Sequence, residues 1–195
     1  MNTSITAAAI DTAAHDLRNT VALVVSGCQL LDGAEAGDIA AIAGDVAGAG
    51  YRLGWFIDHA IETARLEQGR VPNIVDEQLG ELLASGVRRA QRAGCAPHVD
   101  LAGTDVDLRV RVDAGIAERL IADVLLVLHE RGATEAALEV AKRDGACIVR
   151  ARGGDDRDLT RLAAGACMLA MHMARATQAS MEVAHNEITL RFALA

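Results

Sequence analysis

Apolar or small residues recur at Ile10, Ala14, Leu17, Val21, Val24, Cys28 and Leu31. Their 4-3-4-3-4-3 spacing is one continuous helix face, packed along its length against a neighbour. Asp32-Gly33 and Gly37-Asp38 follow as turn residues. A second helix is predicted through Ile39, Ile42, Val46, Ala49, Leu53, Phe56 and Ala60. It ends near Glu67-Gln68-Gly69, with Val71-Pro72 as the break. Gly44, Gly48, Gly50 and Gly54 each weaken that helix by roughly 1 kcal/mol relative to alanine, a cost that close approach of a neighbouring helix would explain. Residues 1–70 therefore read as an antiparallel helical hairpin. A hairpin is half a bundle, and its open apolar face is closed by a second copy or by the rest of the chain. A homodimeric four-helix bundle is the simplest closure.

Residues 71–195 alternate helices and strands. A helix is predicted over 76–93, with Leu79, Leu82, Leu83 and Val87 on one face, then strands over 98–101 and 107–113. Asp113 stands where an N-cap is wanted, ahead of a helix through Ile116, Leu120, Val124, Leu125 and Leu128. Strands over 135–141 and 146–152 flank the turn Arg143-Asp144-Gly145. A helix over 159–178 and a hairpin of 180–184 with 187–193, around His185-Asn186, complete the pattern. The order α-β-β-α-β-β-α-β-β predicts an α/β layered sandwich behind the hairpin, α+β as a whole.

Composition narrows the function. Of 195 residues, 51% are hydrophobic and only 2% aromatic; alanine alone supplies 39. The core must be closely packed and aliphatic, and a stacking platform for nucleic acid is excluded. A net charge of −8 argues against nucleic acid and anionic membranes as partners. Lys142 is the only lysine and its neighbours do not form a GxxxxGK[ST] loop. Cys28, Cys95, Cys147 and Cys167 contain no CxxC pair, so they read as small core residues in a reducing compartment rather than metal ligands. Uncharged runs are too short to span a bilayer, and the first residues lack the pattern of a secretory signal. A cytoplasmic location is expected.

The most polar stretch of the first helix is Ala13-Ala14-His15-Asp16-Leu17-Arg18-Asn19-Thr20. If Ala14 and Leu17 face the seam, His15 projects toward solvent, with Arg18 and Asn19 one turn on. Ala22 and Ser26 continue that side as a low-relief surface against which another protein could lie. An exposed neutral imidazole beside a carboxylate is a competent nucleophile, since Asp16 fixes the tautomer and frees the other nitrogen. Arg18 could steady phosphoryl charge.

His15-Asp16-Leu17-Arg18-Asn19 resembles the H-box of histidine kinases, H-[ED]-x-x-[NT], although Thr20 stands where that family has proline. The resemblance covers essentially the whole chain: a hairpin of 1–70 for dimerisation and phosphotransfer, then an ATPase-like (Bergerat) sandwich of 71–195. It implies that His15 accepts the phosphoryl group, Asp16 assists proton transfer and Asn19 positions water or partner groups. The nucleotide half looks eroded. The stretch Asp123-Val124-Leu125-Leu126-Val127-Leu128-His129-Glu130-Arg131 lacks the family's asparagines. Ala151-Arg152-Gly153-Gly154-Asp155-Asp156 departs from DxGxG, and Ala164-Gly165-Ala166-Cys167 keeps one glycine of a phosphate loop. The whole is similar to histidine phosphotransferases of the ChpT type. That likeness implies no nucleotide and no metal of the chain's own. It implies receiver domains of response regulators as partners, with magnesium on the receiver, and possible exchange with a hybrid histidine kinase.

Two other readings stay open: a nucleotide-dependent histidine kinase or phosphatase, and a non-catalytic dimer that sequesters a regulator. Tyr51 and Trp55, one turn apart, mark either a docking surface or packing against the ATPase-like part. His59 has no assignable partner. Met168, Met171 and Met173 around His172 read as adaptable core, and Asp155-Asp156-Arg157-Asp158 as a solvated helix start.

Overall fold

A computed structural model describes residues 4–92, 98–101, 105–130, 133–153, 164–184 and 187–195. Within its helices, the side chains of 4–16, 52, 130 and 164–168 lie outside the described residues. Helices α1 (Ser4–Leu31) and α2 (Ile39–Glu67) form the hairpin. α1 turns Leu17, Thr20, Val24, Gly27 and Leu31 inward and leaves Val21 and Cys28 exposed. The predicted seam thus holds at Leu17, Val24 and Leu31, while Thr20 and Gly27 replace Val21 and Cys28 in it. Distance is the reason: a Cβ on Gly27 would run into Val46 of α2, so the smallest residue occupies the closest approach of the two backbones. Gly44, Gly50 and Gly54 have open space where a Cβ would stand, so they do not serve the approach expected of them within this chain. α2 otherwise keeps its predicted seam, with Ile42, Val46, Ala49, Leu53, Phe56 and Ala60 partly or fully buried and Ile39 exposed.

α2 ends in a Schellman turn. Gly69, at φ +91°, donates its N–H to the Leu66 carbonyl at 3.1 Å, and Arg70 donates to that of Arg65 at 2.9 Å. The chain then continues as β1 (Ile74–Gln78), α3 (Leu79–Arg92), β2 (His98–Asp100), β3 (Arg109–Asp113) and α4 (Ala114–Glu130). After these come β4 (Glu135–Arg143), β5 (Ala146–Gly153), α5 (Ala164–Ala176), β6 (Ser180–Val183) and β7 (Glu187–Leu194). β1 corrects the predicted 76–93 helix. Leu79 N–H instead donates to the Leu108 carbonyl at 2.9 Å, and residues 74–78 pair antiparallel with β3, from Ile74 opposite Asp113 to Gln78 opposite Arg109. The predicted helix residues 159–163, the acidic run 155–158 and the turn at His185-Asn186 lie outside the described residues.

One sheet runs in the order β1-β3-β7-β5-β4-β2, with β6 added on β7. Asp144 (φ +49°) and Gly145 (φ +70°) make the two-residue turn between β4 and β5. α3, α4 and α5 cover one face, and the core between the layers gathers Leu83, Leu120, Leu125, Met173, Ile188 and Phe192. Asp113 caps α4 as predicted, its Oδ1 accepting the Ile116 N–H at 3.2 Å. α5 also packs against both helices of the hairpin. Among the described residues, no helix is long and apolar enough to cross a membrane.

Candidate functional site

α1 runs unbroken from Ser4 through positions 15 and 16 to Leu31. The side chains of His15 and Asp16 lie outside the described residues. The helical period places position 15 on the face of Arg18, Asn19, Ala22 and Ser26, and all four of these are exposed. That face is opposite the seam with α2, so the hairpin's own packing leaves it uncovered. Small Ala22 and Ser26 keep it low.

The polar structure of the molecule lies elsewhere, between α2 and α4. Trp55 Nε1–H donates to Asp123 Oδ1 at 2.5 Å, and His59 Nε2 lies 2.7 Å from Asp123 Oδ2. His59 and Asp123 are each 1% exposed. Burial alone would lower the His59 pKa. The Asp123 charge, its hydrogen bond and that to the Trp55 carbonyl outweigh burial and the repulsion of Arg119, holding His59 above its ordinary value. One turn on, Glu62 is buried and ion-paired with Arg70, with Arg119 Nη1 at 3.5 Å and Arg65 Nη1 at 3.8 Å. Asp58 takes Arg89 at 3.2 Å. Trp55 therefore packs against the helix layer, and His59 gains the partner that sequence reading did not find. The signal was present as a second stripe on α2, Trp55, His59, Glu62 and Leu66, at the spacing of a second buried face.

α4, the helix compared above with the family's asparagine-bearing stretch, is closed. Residues 121–128 are buried one after another, between α3, the sheet and α2, and Asp123 is already bound by α2. His129 is half-buried, while the Glu130 side chain lies outside the described residues. Gly154-Asp155-Asp156, of the stretch compared above with DxGxG, also lies outside them. Where α2, α3 and α4 meet, Tyr51, Trp55, Arg89, Arg92 and Leu126 line an open cleft of about 350 Å³. Among the described residues, no three His, Cys, Asp or Glu side chains gather as a metal site. Met173 is in the core and Met171 packs on it, while His172 lies 4.0 Å from Glu67. Cys147 is buried as expected, but Cys28 is exposed.

Among solved structures, the chain is similar to the Acinetobacter baumannii histidine kinase AdeS, at TM-score 0.56 and 12% identity. The match covers 92% of this chain and 98% of that one. It is also similar to full-length ShkA, solved in complex with AMPPNP, at TM-score 0.51 and 12% identity, over 98% of this chain but 46% of ShkA. No protein-family model and no curated protein matches the sequence. At such identities the likeness is one of fold: the chain has a histidine-kinase-like fold.

Proposed function

We propose that the chain is a histidine-containing phosphotransfer protein that relays a phosphoryl group between receiver-domain aspartates through His15, without using ATP. One contrast between two helices carries this reading. α1 offers an exposed, low face of Arg18, Asn19, Ala22 and Ser26 beside the His15-Asp16 pair. α4, the helix that would serve a nucleotide, is buried over 121–128 and its Asp123 is committed to α2.

The chemistry is a nucleophilic displacement. A neutral nitrogen of His15 attacks the phosphorus of the receiver's aspartyl phosphate, the P–O bond to aspartate breaks, and the carboxylate leaves with the electron pair. The new P–N bond leaves the ring positive, and Asp16 balances or accepts the proton on its other nitrogen. Attack by a second receiver's aspartate reverses these steps. Magnesium belongs to the receiver, Arg18 steadies the transferring charge, and Asn19, Ala22 and Ser26 receive the partner's surface. A hybrid histidine kinase can serve as the upstream donor.

A second copy completes the hairpin in this reading. Val21, Val25, Ile57 and Ile61 are 42–50% exposed, an apolar surface that a four-helix bundle of two hairpins would cover. Residues 1–70 then act as the dimerising phosphotransfer part and 71–195 as an ATPase-like scaffold, in the cytoplasm.

Incubation with a receiver domain carrying radiolabelled aspartyl phosphate tests the relay. The wild-type chain takes up label and His15→Ala does not; undiminished labelling of His15→Ala overturns it. Saturable binding of magnesium–ATP would restore the kinase reading.

A further inference from the structure

Both ring nitrogens of His59 face oxygen. Nδ1 lies 2.8 Å from the Trp55 carbonyl and Nε2 lies 2.7 Å from Asp123 Oδ2. A neutral imidazole has one N–H and one lone pair. Either neutral tautomer would therefore set a lone pair against an oxygen at one of these two contacts. Only the imidazolium donates at both. Its charge also answers the Asp123 carboxylate, which is buried and, among the described residues, otherwise accepts the Trp55 N–H and feels the charge of Arg119.

The surrounding charges leave that pairing intact. From α4, Asp123 and Arg119 act on His59. On α2 itself, Asp58 is taken by Arg89 of α3, and Glu62 by Arg70 and Arg119. α5 brings His172 to Glu67, 4.0 Å away. Among the described residues, Asp123 is thus the carboxylate left to His59.

We infer that Trp55, His59 and Asp123 form a proton-held latch between the hairpin and the helix layer, closed while the His59 ring carries both protons and loosened when it loses one. The latch joins α2, which carries the hairpin, to α4, the central helix over the sheet. Any shift of the hairpin against that layer must break it. Because folding raises the pKa of His59, the latch contributes fully at acid pH and fades as pH rises through the folded-state midpoint. This inference does not rest on the phosphotransfer reading.

Trp55 is the only tryptophan in the chain, and its ring centroid is 4.6 Å from that of His59, so its emission reports on the latch. The experiment follows the ring nitrogens of His59 by NMR and the emission of Trp55 in the full chain, across a pH titration. Both nitrogens are expected to carry protons below a midpoint that lies above 6.5, and the emission is expected to change with that same midpoint. Asp123→Asn should bring the midpoint down, each unit lost being about tenfold in the latch equilibrium. A wild-type midpoint at or below the ordinary value overturns the latch, as does emission that stays flat through it. Both readings come from the wild-type chain alone, should the variant not fold. An unchanged midpoint in a folded Asp123→Asn overturns it as well.

Discussion

Asp113 Oδ1 accepts the backbone N–H of Ile116 at 3.2 Å, while its Oδ2 accepts Arg70 Nη2 at 3.1 Å and the Asn73 N–H at 3.0 Å. One buried carboxylate therefore fixes the start of α4, the approach to β1 and the residue that ends the Schellman turn of α2. Removing it as Asp113→Ala loses a cap worth about 1 kcal/mol and strands further donors at about 1–3 kcal/mol. Asp113→Asn keeps a capping oxygen and should lose less than half as much. Urea unfolding compares the two, and equal losses would show that the cap contributes nothing.

Gly27 and Gly44 should respond to alanine with opposite signs. Both substitutions gain about 1 kcal/mol of helix propensity. At Gly44 the new methyl meets nothing within 4 Å, so the gain is kept and the chain is stabilised. At Gly27 the methyl meets Val46, and overpacking of about 1–3 kcal/mol outweighs the propensity. Thermal melts followed by circular dichroism should show Gly44→Ala higher and Gly27→Ala lower than the parent.

These glycines also show where the sequence was legible. The hairpin, its stop at Gly69 and the Asp113 cap follow from local chemistry, because period, positive φ and capping are decided within a few residues. The seam holds at Leu17, Val24 and Leu31 but not at Val21 and Cys28, which are more apolar than Thr20 and Gly27, whereas helix approach selects for small size. β1 escaped because Ile74-Val75-Asp76-Glu77-Gln78 shows little apolar alternation; an edge strand is specified by its backbone partner β3 more than by its side chains. His59 and Asp123 are 64 residues apart, and no local rule pairs them. The stripe on α2 could reveal a second buried face, but not what covers it. Arg18, Asn19, Ala22 and Ser26 read as exposed in spite of that difference in the seam, because they lie far enough round α1 to stay away from α2 in either seam.

The two described cysteines should differ in reactivity. Burial, assisted by the Asp105 charge, pushes the Cys147 thiol up to about 11, and thiol reagents attack the thiolate. Cys28 is exposed on α1. Brief alkylation of the native chain at mildly alkaline pH, followed by peptide mapping, should label Cys28 and spare Cys147. Labelling of both at equal rates would contradict the burial of β5.

On the outer face of the sheet, Arg152 Nη2 lies 2.6 Å from Glu187 Oε2. Burial tends to raise the Glu187 pKa, but the Arg152 and Thr189 hydrogen bonds and the charges of Arg152 and Arg150 hold it below the ordinary value. The sign follows from linkage: a depressed carboxylate contributes stability above its unfolded pKa and loses it as pH falls through the folded one. Glu187→Gln should thus be less stable than the parent at neutral pH, and the two should converge in acid. The difference is expected to be small, because Arg152 is half-exposed and solvent screens the pair. Urea midpoints measured for both chains across the acid range check the convergence.

The buried pair His59–Asp123 should be costly to halve and cheaper to remove. His59→Leu removes the closest positive partner of the buried Asp123 carboxylate among the described residues, and breaking a buried pair this way typically costs about 3–5 kcal/mol. Asp123→Leu leaves His59 able to shed its proton and become neutral, so it costs less, although the Trp55 N–H loses its acceptor at about 1–3 kcal/mol. The double variant His59→Leu/Asp123→Leu carries no buried charge and should be more stable than His59→Leu alone. A double-mutant cycle by urea unfolding at neutral pH measures the coupling directly. Strict additivity of the two losses would mean that the 2.7 Å contact holds nothing together.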